Sequence, residues 1–504
     1  MTILTEKKPM RKTEILDKYP NICYKKLAHL QLQRRHKMSE IDFDYAKRGI
    51  ELIGGIKILP ANAPKQNKWQ TGLYEHPLPM GMMNFSVLIE RDGFVADVIR
   101  TFQLERLDHI HQLQSLTYFG IDQMIPRLPG GDHVFPHTRL MPHAILSGVL
   151  RALIAGYIQK ANPTETRIAI LEDLIHDVAT CAGGDAWHNI DLPDGERNLL
   201  GRTLFNEDSH ILKVFEWRHH DWRKLKEKYG LPDNTPELVH RTISSEHGLN
   251  GAIHTFTDTL SYLAGDVGAL VSLYFNADLQ LPKRLLPITE LATPDVFNLW
   301  QNLAIKCQKI VVKKPDILSS FLKLRLAMFT EIYNHPDHKV IEMMMASVVY
   351  PQLWKKIRKR PEALLHQQDD DLSNMIEAEM RMKNIALRLD AFETTPLRFA
   401  LNTKKDALKM ERQLAERGYL TLFIDYGRFK PIKTKSSKYL VEGRGGKPIS
   451  FKNAFPEVAR QLEIKAKSPP DGRRFHLVVY EKAKMSAELR RAWQEARKRW
   501  HSAK

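Results

Sequence analysis

The sequence predicts a mainly α-helical protein with a small α+β region at its carboxyl end. Between residues 97 and 400, long segments repeat apolar residues at the i, i+3, i+4 spacing of one helix face. Signals typical of strands are sparse until the last fifth of the chain, where short apolar runs lie between turn residues. Because hydrophobic residues make up 43% of the chain, the helices have enough apolar surface for a substantial core.

The chain of 504 residues is longer than one average domain, and we divide it into three regions. Residues 1–95 form a predicted amino-terminal extension that is partly irregular, because Pro, Gly and Asn cluster in ILPANAPKQNKWQTGLYEHPLPMG. Residues 96–400 form the predicted helical core. Residues 401–504 form a predicted basic region with a small sheet and a terminal helix.

The clearest single helix is predicted over residues 143–158, where Pro142 suits the first helical position. Near the carboxyl end, apolar runs between turn residues predict strands of one small sheet. These runs are YLTLFID (419–425), SKYLVEG (437–443) and RFHLVVYE (474–481). The last helix is predicted in SAELRRAWQEARKRW, where the serine is a suitable N-cap.

Several classes of protein are excluded by composition. The three cysteines, at 23, 181 and 307, form no CxxC pair, which argues against a disulfide framework or a cysteine zinc site. The first twenty residues contain no apolar stretch of the kind found in a secretory signal, and no run of apolar residues is long enough to span a membrane. We therefore expect a protein of the cytoplasm.

Positive charge is concentrated at the carboxyl end. The formal net charge is +17, and residues 401–504 hold 26 Lys and Arg against 11 Asp and Glu. The rest of the chain is therefore close to neutral. A basic region of this kind suits nucleic acid, nucleotides or an acidic partner, although a solvated basic surface gives the same composition.

A metal site is suggested by LEDLIHDVAT (171–180), where His176 and Asp177 follow an apolar helix face. Imidazole nitrogens and carboxylate oxygens are ligands for divalent metals, and a polar pair on a buried face needs partners. A second pair, His220 and Asp221, lies among charged residues in FEWRHHDWRKLKEK and is predicted to lie on the surface. By itself the first pair is weak evidence for a metal, because about one such pair is expected by chance in a chain with 21 histidines.

Two further segments strengthen the metal hypothesis. Two histidines, His137 and His143, lie near the start of a predicted helix in the segment HVFPHTRLMPHAILSGVL. HTFTDTLSYLAGDVGAL places Asp258, Tyr262 and Asp266 on one stripe of another helix. An acidic and aromatic stripe in an apolar helix is costly unless it lines a site.

The order His, His-Asp, Asp resembles the HD superfamily of metal-dependent phosphohydrolases. The resemblance is to the deoxynucleoside triphosphate triphosphohydrolase branch, which includes bacterial dGTPases and SAM-and-HD-domain enzymes. That branch has the motif RLRxIxQLG, which is similar to RLDHIHQLQ at 106–114. It also has PGAxHxRFxHS, which is similar to PGGDHVFPHTRLMPHA at 129–144. DTLSYLAGD (258–266) resembles that branch's DxxDYxxRD, and EIYNHPDHKVIEMMM (331–345) resembles its xxYxHxxxxxxExM helix. Further similarities are QQDDDLSNMI (367–376) and SKYLVEGRGGKPISF (437–451).

The resemblance implies a helical HD-domain fold, a divalent metal ion (Mn, Mg, Fe, Zn or Ni) and self-association as a homo-oligomer. It implies four metal ligands: His143, His176, Asp177 and Asp258. It implies substrate-binding roles for six residues: Gln112, Arg139, Tyr262, Asp266, Tyr333 and His335. A guanidinium at Arg139 suits a phosphate group because it binds planar oxyanions through two hydrogen bonds.

The sequence also departs from the pattern of this branch. Arg139 and His143 are spaced RxxxH where the branch has RxxH, so His137 is a rival first ligand. Thr180 and Asp185 stand where the branch has histidines. Its HE element corresponds here to Asn-Glu at 206–207, and its DYxxRD arginine is replaced by glycine at 265.

The predicted catalytic residues are Asp177, Asp185, His188 and Glu207. Asp177 is expected to hold the metal and orient a water molecule, whereas one of the others protonates the leaving oxygen. The predicted reaction is hydrolysis of a phosphate ester or anhydride, with a (deoxy)nucleotide such as a dNTP as substrate. Two alternatives stay open. The first is a degenerate HD scaffold or nucleotide sensor that binds nucleic acid through residues 401–504, and the second is a metal-dependent nuclease.

Overall fold

The computed structural model confirms the mainly α-helical class. It describes residues 75–78, 81–84, 93–110, 138–140, 143–184, 187, 207–245, 248–276, 285–335, 350–368, 371–372, 374–375, 397–426, 432–468 and 473–480. Four predicted site residues lie outside these ranges, as does the predicted terminal helix: Gln112, His137, Asp185 and His188.

Helices make up most of the described structure. In chain order they are α1 (Phe94–Phe102), α2 (His143–Leu153), α3 (Pro163–Ile175), α4 (Glu207–Trp217), α5 (His219–Tyr229), α6 (Thr235–Ser245), α7 (Gly248–Asn276), α8 (Leu286–Leu291), α9 (Pro294–Phe297), α10 (Pro315–Met328), α11 (Tyr350–Ile357), α12 (Lys404–Glu416), α13 (Phe451–Ala454) and α14 (Pro456–Lys467). Short 3-10 helices cover Leu104–His109, Leu299–Asn302, Pro361–His366 and Arg444–Gly446. None of the described helices has the length and apolar character needed to cross a bilayer.

The strands form small sheets. They are β1 (Glu75–Leu78), β2 (Gly81–Asn84), β3 (Leu303–Lys306), β4 (Lys309–Val312), β5 (Leu397–Leu401), β6 (Leu420–Asp425), β7 (Leu440–Glu442), β8 (Pro448–Ser450) and β9 (Phe475–Tyr480). The first two pair as an antiparallel hairpin. One sheet has the order β3-β4-β7-β8 and another the order β5-β9-β6. In the first of these, β4 and β7 run parallel.

The core is one hydrophobic cluster that extends from Phe94 in α1 to Ala466 in α14. Helix α7 shows why these segments are helical, because its fully buried side chains recur every three or four residues: Ile253, Phe256, Leu260, Leu263 and Val267. Burying each such side chain stabilises the fold by ~2 kcal/mol. Helices α2, α3 and α7 pack against one another at the centre of this core.

The predicted secondary structure is right in most places. The helix predicted over 143–158 is α2, whose last turns continue as a π-helix over Ile154–Gln159. The three strands predicted near the carboxyl end are present as β6, β7 and β9. They do not form one sheet, because β7 pairs with β4 and β8 whereas β6 and β9 pair with each other. Strands β3 and β4 lie inside the region that we predicted to be helical.

Residues after 400 take part in the central core. Tyr439, Val441, Phe451 and Leu462 belong to the same hydrophobic cluster as the residues of α1. The sheet β5-β9-β6 has a smaller cluster of its own, formed with α12. The division of the chain at residues 95 and 400 stays a prediction.

Candidate metal centre

Three helices bring four predicted ligands together. His143 is the first residue of α2, and His176 is the C-cap residue that directly follows α3. Asp177 follows directly, and Asp258 lies within α7. Because these helices pack together, residues separated by more than a hundred positions in the sequence meet at one point.

The position of α3 is fixed by its own sequence. The side chain of Asn162 accepts a 2.9 Å hydrogen bond from the main-chain nitrogen of Glu165, whose carboxylate accepts a 3.0 Å bond from the nitrogen of Asn162. Pro163 occupies the first turn. This capping box and the proline specify where the helix begins, and therefore which residues reach the site at its other end.

The ligand atoms of these residues lie close together. The Nε2 atoms of His143 and His176 are 3.1 Å apart. Asp177 Oδ2 lies 3.2 Å from the first nitrogen and 3.6 Å from the second. Asp258 Oδ1 lies 3.4 Å and 3.5 Å from the same two nitrogens. Two ligands that are each ~2.1 Å from one ion lie ~3.0 Å apart at a right angle and ~3.4 Å apart at the tetrahedral angle. These spacings therefore suit ligands of a single ion.

The hydrogen bonds behind the histidines point their free nitrogens at the site. His176 Nδ1 donates to the main-chain oxygen of Asp173 at 2.6 Å. His143 Nδ1 donates to Ser261 Oγ at 2.9 Å, because that hydroxyl gives its own proton to the main-chain oxygen of Asp258 at 2.8 Å. In the neutral rings both Nε2 atoms therefore carry lone pairs, as metal-bound histidines do. Two lone pairs facing each other at 3.1 Å repel unless a cation lies between them.

Asp177 also fits a metal. Its Oδ1 atom accepts hydrogen bonds from Arg139 at 2.7 Å and from Thr180 at 3.2 Å. Its Oδ2 atom is buried and has no hydrogen-bond partner among the described residues. A buried carboxylate oxygen without a partner is costly, and a cation at the common centre satisfies it.

The charges of the site shift its pKa values strongly. Burial alone lowers the pKa of His176, but the carboxylates of Asp177 and Asp258 outweigh burial and raise it to about 10. Burial raises the pKa of Asp177, yet the guanidinium of Arg139 and the His176 ring hold it well below its usual value. The pKa of Asp258 is likewise lowered. Without an ion, a proton on His176 therefore supplies the positive charge that the two carboxylates need.

A second buried carboxylate lies one turn behind the ligands. The side chain of Asp173 accepts hydrogen bonds from Ser147 in α2 at 2.7 Å and from His254 in α7 at 2.9 Å, and it also bonds the hydroxyl of Thr257. It is fully buried. Because Asp173 itself lies in α3, one carboxylate joins the three helices that carry the ligands.

Predicted substrate residues line α7 beyond the ligands. The rings of Tyr262 and His143 have centroids 6.4 Å apart. The Tyr262 hydroxyl accepts a 3.1 Å hydrogen bond from Arg325 Nε, and the Tyr333 hydroxyl donates to the carboxylate of Asp266. Tyr262 and Asp266 thus share the stripe of Asp258 on α7, as its spacing predicted.

The carboxyl-terminal region contributes to this side of α7. Lys435 Nζ donates to Thr259 Oγ1 at 3.0 Å, and Arg325 donates to the main-chain oxygen of Lys433 at 2.5 Å. The ring of Tyr439 packs edge-on against Phe256 with centroids 6.4 Å apart. The segment around residue 435 therefore lies beside the metal centre.

The structure places the other predicted site residues in different surroundings. Arg139 is buried and bonded to Asp177, so it lies at the site. His335 is buried, and its main-chain nitrogen bonds the oxygen of Ile332. Glu207 is the first residue of α4. The catalytic and substrate roles of all these residues stay predictions.

Three residues that support the site were not predicted from the sequence. Ser261 and Asp173 orient the two histidines, and Arg325 bonds Tyr262. Ser261 and Arg325 each act on a residue of another segment, and the Asp173 side chain bonds residues of α2 and α7, so local spacing does not reveal these contacts. The bond from His176 to the main-chain oxygen of Asp173, in contrast, joins residues one turn apart. Ser261 alone had a usable signal, since it lies three residues after Asp258 and therefore close to the same face of α7.

No protein-family model and no curated protein matches the chain. Among solved structures, the chain is similar to a phosphohydrolase from Bacteroides thetaiotaomicron, with a TM-score of 0.47 and 16% sequence identity. The similarity covers 81% of this chain and 98% of that one. At this level the similarity assigns neither a residue role nor a substrate to the present protein.

Proposed function

We propose that the protein is a divalent-metal-dependent hydrolase of phosphate esters or anhydrides. The observation that carries the proposal is the convergence of two imidazole nitrogens and two carboxylate oxygens, one of which, Asp177 Oδ2, is buried without a hydrogen-bond partner. His143, His176, Asp177 and Asp258 would hold the ion. When bound, a divalent ion lowers the pKa of a water molecule from ~16 towards ~7 and polarises a phosphoryl oxygen.

The residues around the centre suit a phosphate group. Arg139 lies against Asp177 and brings a permanent positive charge to the edge of the site. That charge stabilises the negative charge that develops on phosphoryl oxygens during hydrolysis. Asp177 accepts from Arg139 through one oxygen, which leaves its other oxygen to the ion. One carboxylate therefore aligns the guanidinium with the metal.

For the substrate we propose a deoxynucleotide, with a dNTP as the first choice. This finer proposal is supported by the motif resemblance described above, by the ring of Tyr262 near His143, and by the guanidinium of Arg325 that bonds the Tyr262 hydroxyl. A tyrosine can pack against a sugar, and an arginine can bind a phosphate. Asp185, His188 and Glu207 are the proposed sources of the proton that the leaving oxygen takes up.

The test combines metal analysis with a substrate panel. Purified protein is stripped with chelator, reloaded with Mn2+, Mg2+, Fe2+, Zn2+ or Ni2+, and assayed with dNTPs, NTPs, nucleoside monophosphates, cyclic nucleotides and single-stranded oligonucleotides. We expect about one ion per chain and release of phosphate or pyrophosphate from a nucleotide. Cleavage of the oligonucleotides alone would replace the nucleotide hydrolase by the nuclease.

Matched variants separate the centre from its surroundings. Asp258→Asn and His176→Gln should lose the ion and at least a thousandfold of activity, because each removes a ligand. The control is the double variant His220→Gln and Asp221→Asn, which alters the second His-Asp pair on the exposed surface of α5. Equal metal content and activity in all these variants would refute the proposed centre.

A further inference from the structure

A dense positive ridge lies at the end of α11. Five of the six residues 355–360 are cations, and all five are exposed: Lys355, Lys356, Arg358, Lys359 and Arg360. The stretch 350–361 contains no Asp or Glu, and Glu362 follows it. These side chains take no part in the contacts described above for the metal centre, and they lie outside the proposed catalytic machinery. We call this group the basic ridge.

The backbone of the basic ridge is anchored on both sides. Before it, Leu353 and Trp354 of α11 are fully buried, and after it Leu364 is fully buried. The main-chain nitrogen of Arg358 bonds the oxygen of Trp354 at 2.9 Å, and that of Arg360 bonds the oxygen of Ile357 at 2.8 Å. Because the backbone is held in place, a partner binds the ridge without first having to order it.

An exposed aromatic pair lies next to the ridge. Trp217 is 45% exposed, whereas the other tryptophans that the structure describes, at 187, 222, 300 and 354, are buried. Its ring contacts that of the exposed His366, with centroids 5.1 Å apart. His366 ends the 3-10 helix that begins directly after Arg360. At ~2 Å per residue, that helix places the pair ~12 Å from the ridge.

We propose that the basic ridge and the Trp217–His366 pair together bind single-stranded nucleic acid. Clustered cations contact the phosphates, and an exposed aromatic face stacks on an unpaired base. The ~12 Å between ridge and pair is a distance that a short run of nucleotides can span in one strand. In a duplex the base faces are stacked on one another, so Trp217 cannot stack on them. A membrane surface is disfavoured, because Ile357 is the one apolar residue within the ridge and is itself only partly exposed. This inference goes beyond the proposed function and does not depend on it.

The experiment measures fluorescence anisotropy of labelled 20-mers of oligo(dT) and oligo(U), the corresponding duplex and anionic phosphatidylserine vesicles, with full-length protein in EDTA. The ridge variant is Lys355→Gln, Lys359→Gln, Arg360→Gln. The matched control, Lys404→Gln, Lys405→Gln, Lys409→Gln, removes the same charge from exposed positions of α12. Comparison of the two oligonucleotides distinguishes DNA from RNA as the strand that is bound. Circular dichroism melting curves confirm that each variant is folded.

We expect the ridge variant to bind the single strand at least tenfold more weakly and to reduce the slope of log K against log salt by about 2, since each phosphate contact contributes ~0.7. The control should change binding less than twofold. Trp217→Ala should weaken single-strand binding roughly tenfold and leave the salt slope unchanged. Any of three results would overturn the proposal. They are equal losses of single-strand affinity in both triple variants, tighter binding to the duplex or the vesicles than to the single strands, and no binding of single strands at low salt.

Discussion

The carboxylate of Asp173 accepts a 2.9 Å hydrogen bond from Nδ1 of His254, across the interface between α3 and α7. The main-chain oxygen of the same residue accepts from His176, so one residue orients a metal ligand and also joins the helices around it. The pKa of this buried carboxyl is lowered, because His254 and Arg151 outweigh the effect of burial. Several properties of the site follow from such supporting contacts.

Asp173→Asn should destabilise the protein by about 3 kcal/mol, because the amide cannot accept from all of the donors that surround the carboxylate. The ion should also bind about tenfold more weakly, since the support behind a ligand is disturbed. Urea unfolding in EDTA and a competitive chelator titration measure the two effects. Asp221→Asn, at a side chain that is 54% exposed, serves as the control and should change stability by less than about 0.5 kcal/mol. A loss no larger than that of the control would contradict the assigned role.

Metal binding should release a proton from His176. The pKa of its ring is about 10 in the ion-free protein, because Asp177 and Asp258 lie beside it. At pH 8 the ring is protonated, so an ion has to displace the proton, and affinity should rise about tenfold per pH unit between pH 7 and 9. Calorimetry in HEPES and Tris gives the number of protons from the difference in heat, which should be near one.

The raised pKa of His176 also makes the stability of the ion-free protein depend on pH. A raised pKa contributes stability that is fully present below the unfolded value of about 6.5 and is lost as the pH rises towards 10. The ion-free protein should therefore become less stable over this range, whereas the stability of the loaded protein should stay constant, because the His176 ring carries no proton in either the loaded or the unfolded state. Denaturation midpoints that move together would show that His176 is not the titrating group.

Ser261→Ala should weaken metal binding about tenfold and cost less than about 1 kcal/mol of stability. The serine accepts the 2.9 Å hydrogen bond that fixes the His143 ring, and the loss of such a contact costs affinity more than it costs folding. Ser320→Ala is the control, because Ser320 bonds a carbonyl one turn earlier in α10 and contacts no ligand. Chelator competition that fails to distinguish the two variants would remove Ser261 from the site.

Gly183→Ala should cost about 3 kcal/mol, and Gly230→Ala about 1 kcal/mol. Both glycines have left-handed backbones, with φ of 78° and 64°. At Gly183 an added Cβ would lie 2.7 Å from Leu372 and 3.0 Å from the Trp187 ring, whereas at Gly230 it meets nothing within 4 Å. Trp187 cannot easily move, because it stacks on Tyr350 at 4.3 Å. Thermal melts of both variants check this, and similar losses would mean that the clash is absent.

The ligand cluster could be anticipated because local patterns place candidate ligands on three helices and the resemblance to the HD superfamily implies which of them bind the metal. Spacing within single helices predicts three of these features: the helix start at His143, the apolar face before His176, and the stripe from Asp258 to Asp266. The site then forms when the predicted faces of α2, α3 and α7 pack against one another. Contacts such as Asp173 with His254 depend on how separate helices meet, and spacing within either helix does not reveal them.

Strands β3 and β4 show why another part of the fold was not predicted. Their hairpin turns at Cys307 and Gln308, which have φ of 51° and 57°. Two-residue turns with positive φ favour Gly, Asn or Asp, and neither position has one. The usual turn signal is therefore missing, and the apolar residues on either side resemble the helical region around them.

The parallel pairing of Val311 with Leu440 and of Val312 with Val441 has a consequence for biosynthesis. These partners are far apart in the chain, so the ribosome has to translate most of the protein before β4 meets β7. Until then, the nascent helices lack the ring of Tyr439, which covers Phe256 and Phe321. The chain emerging from the exit tunnel therefore exposes aromatic surface for much of its synthesis, and chaperones that bind such surface during translation should associate with it.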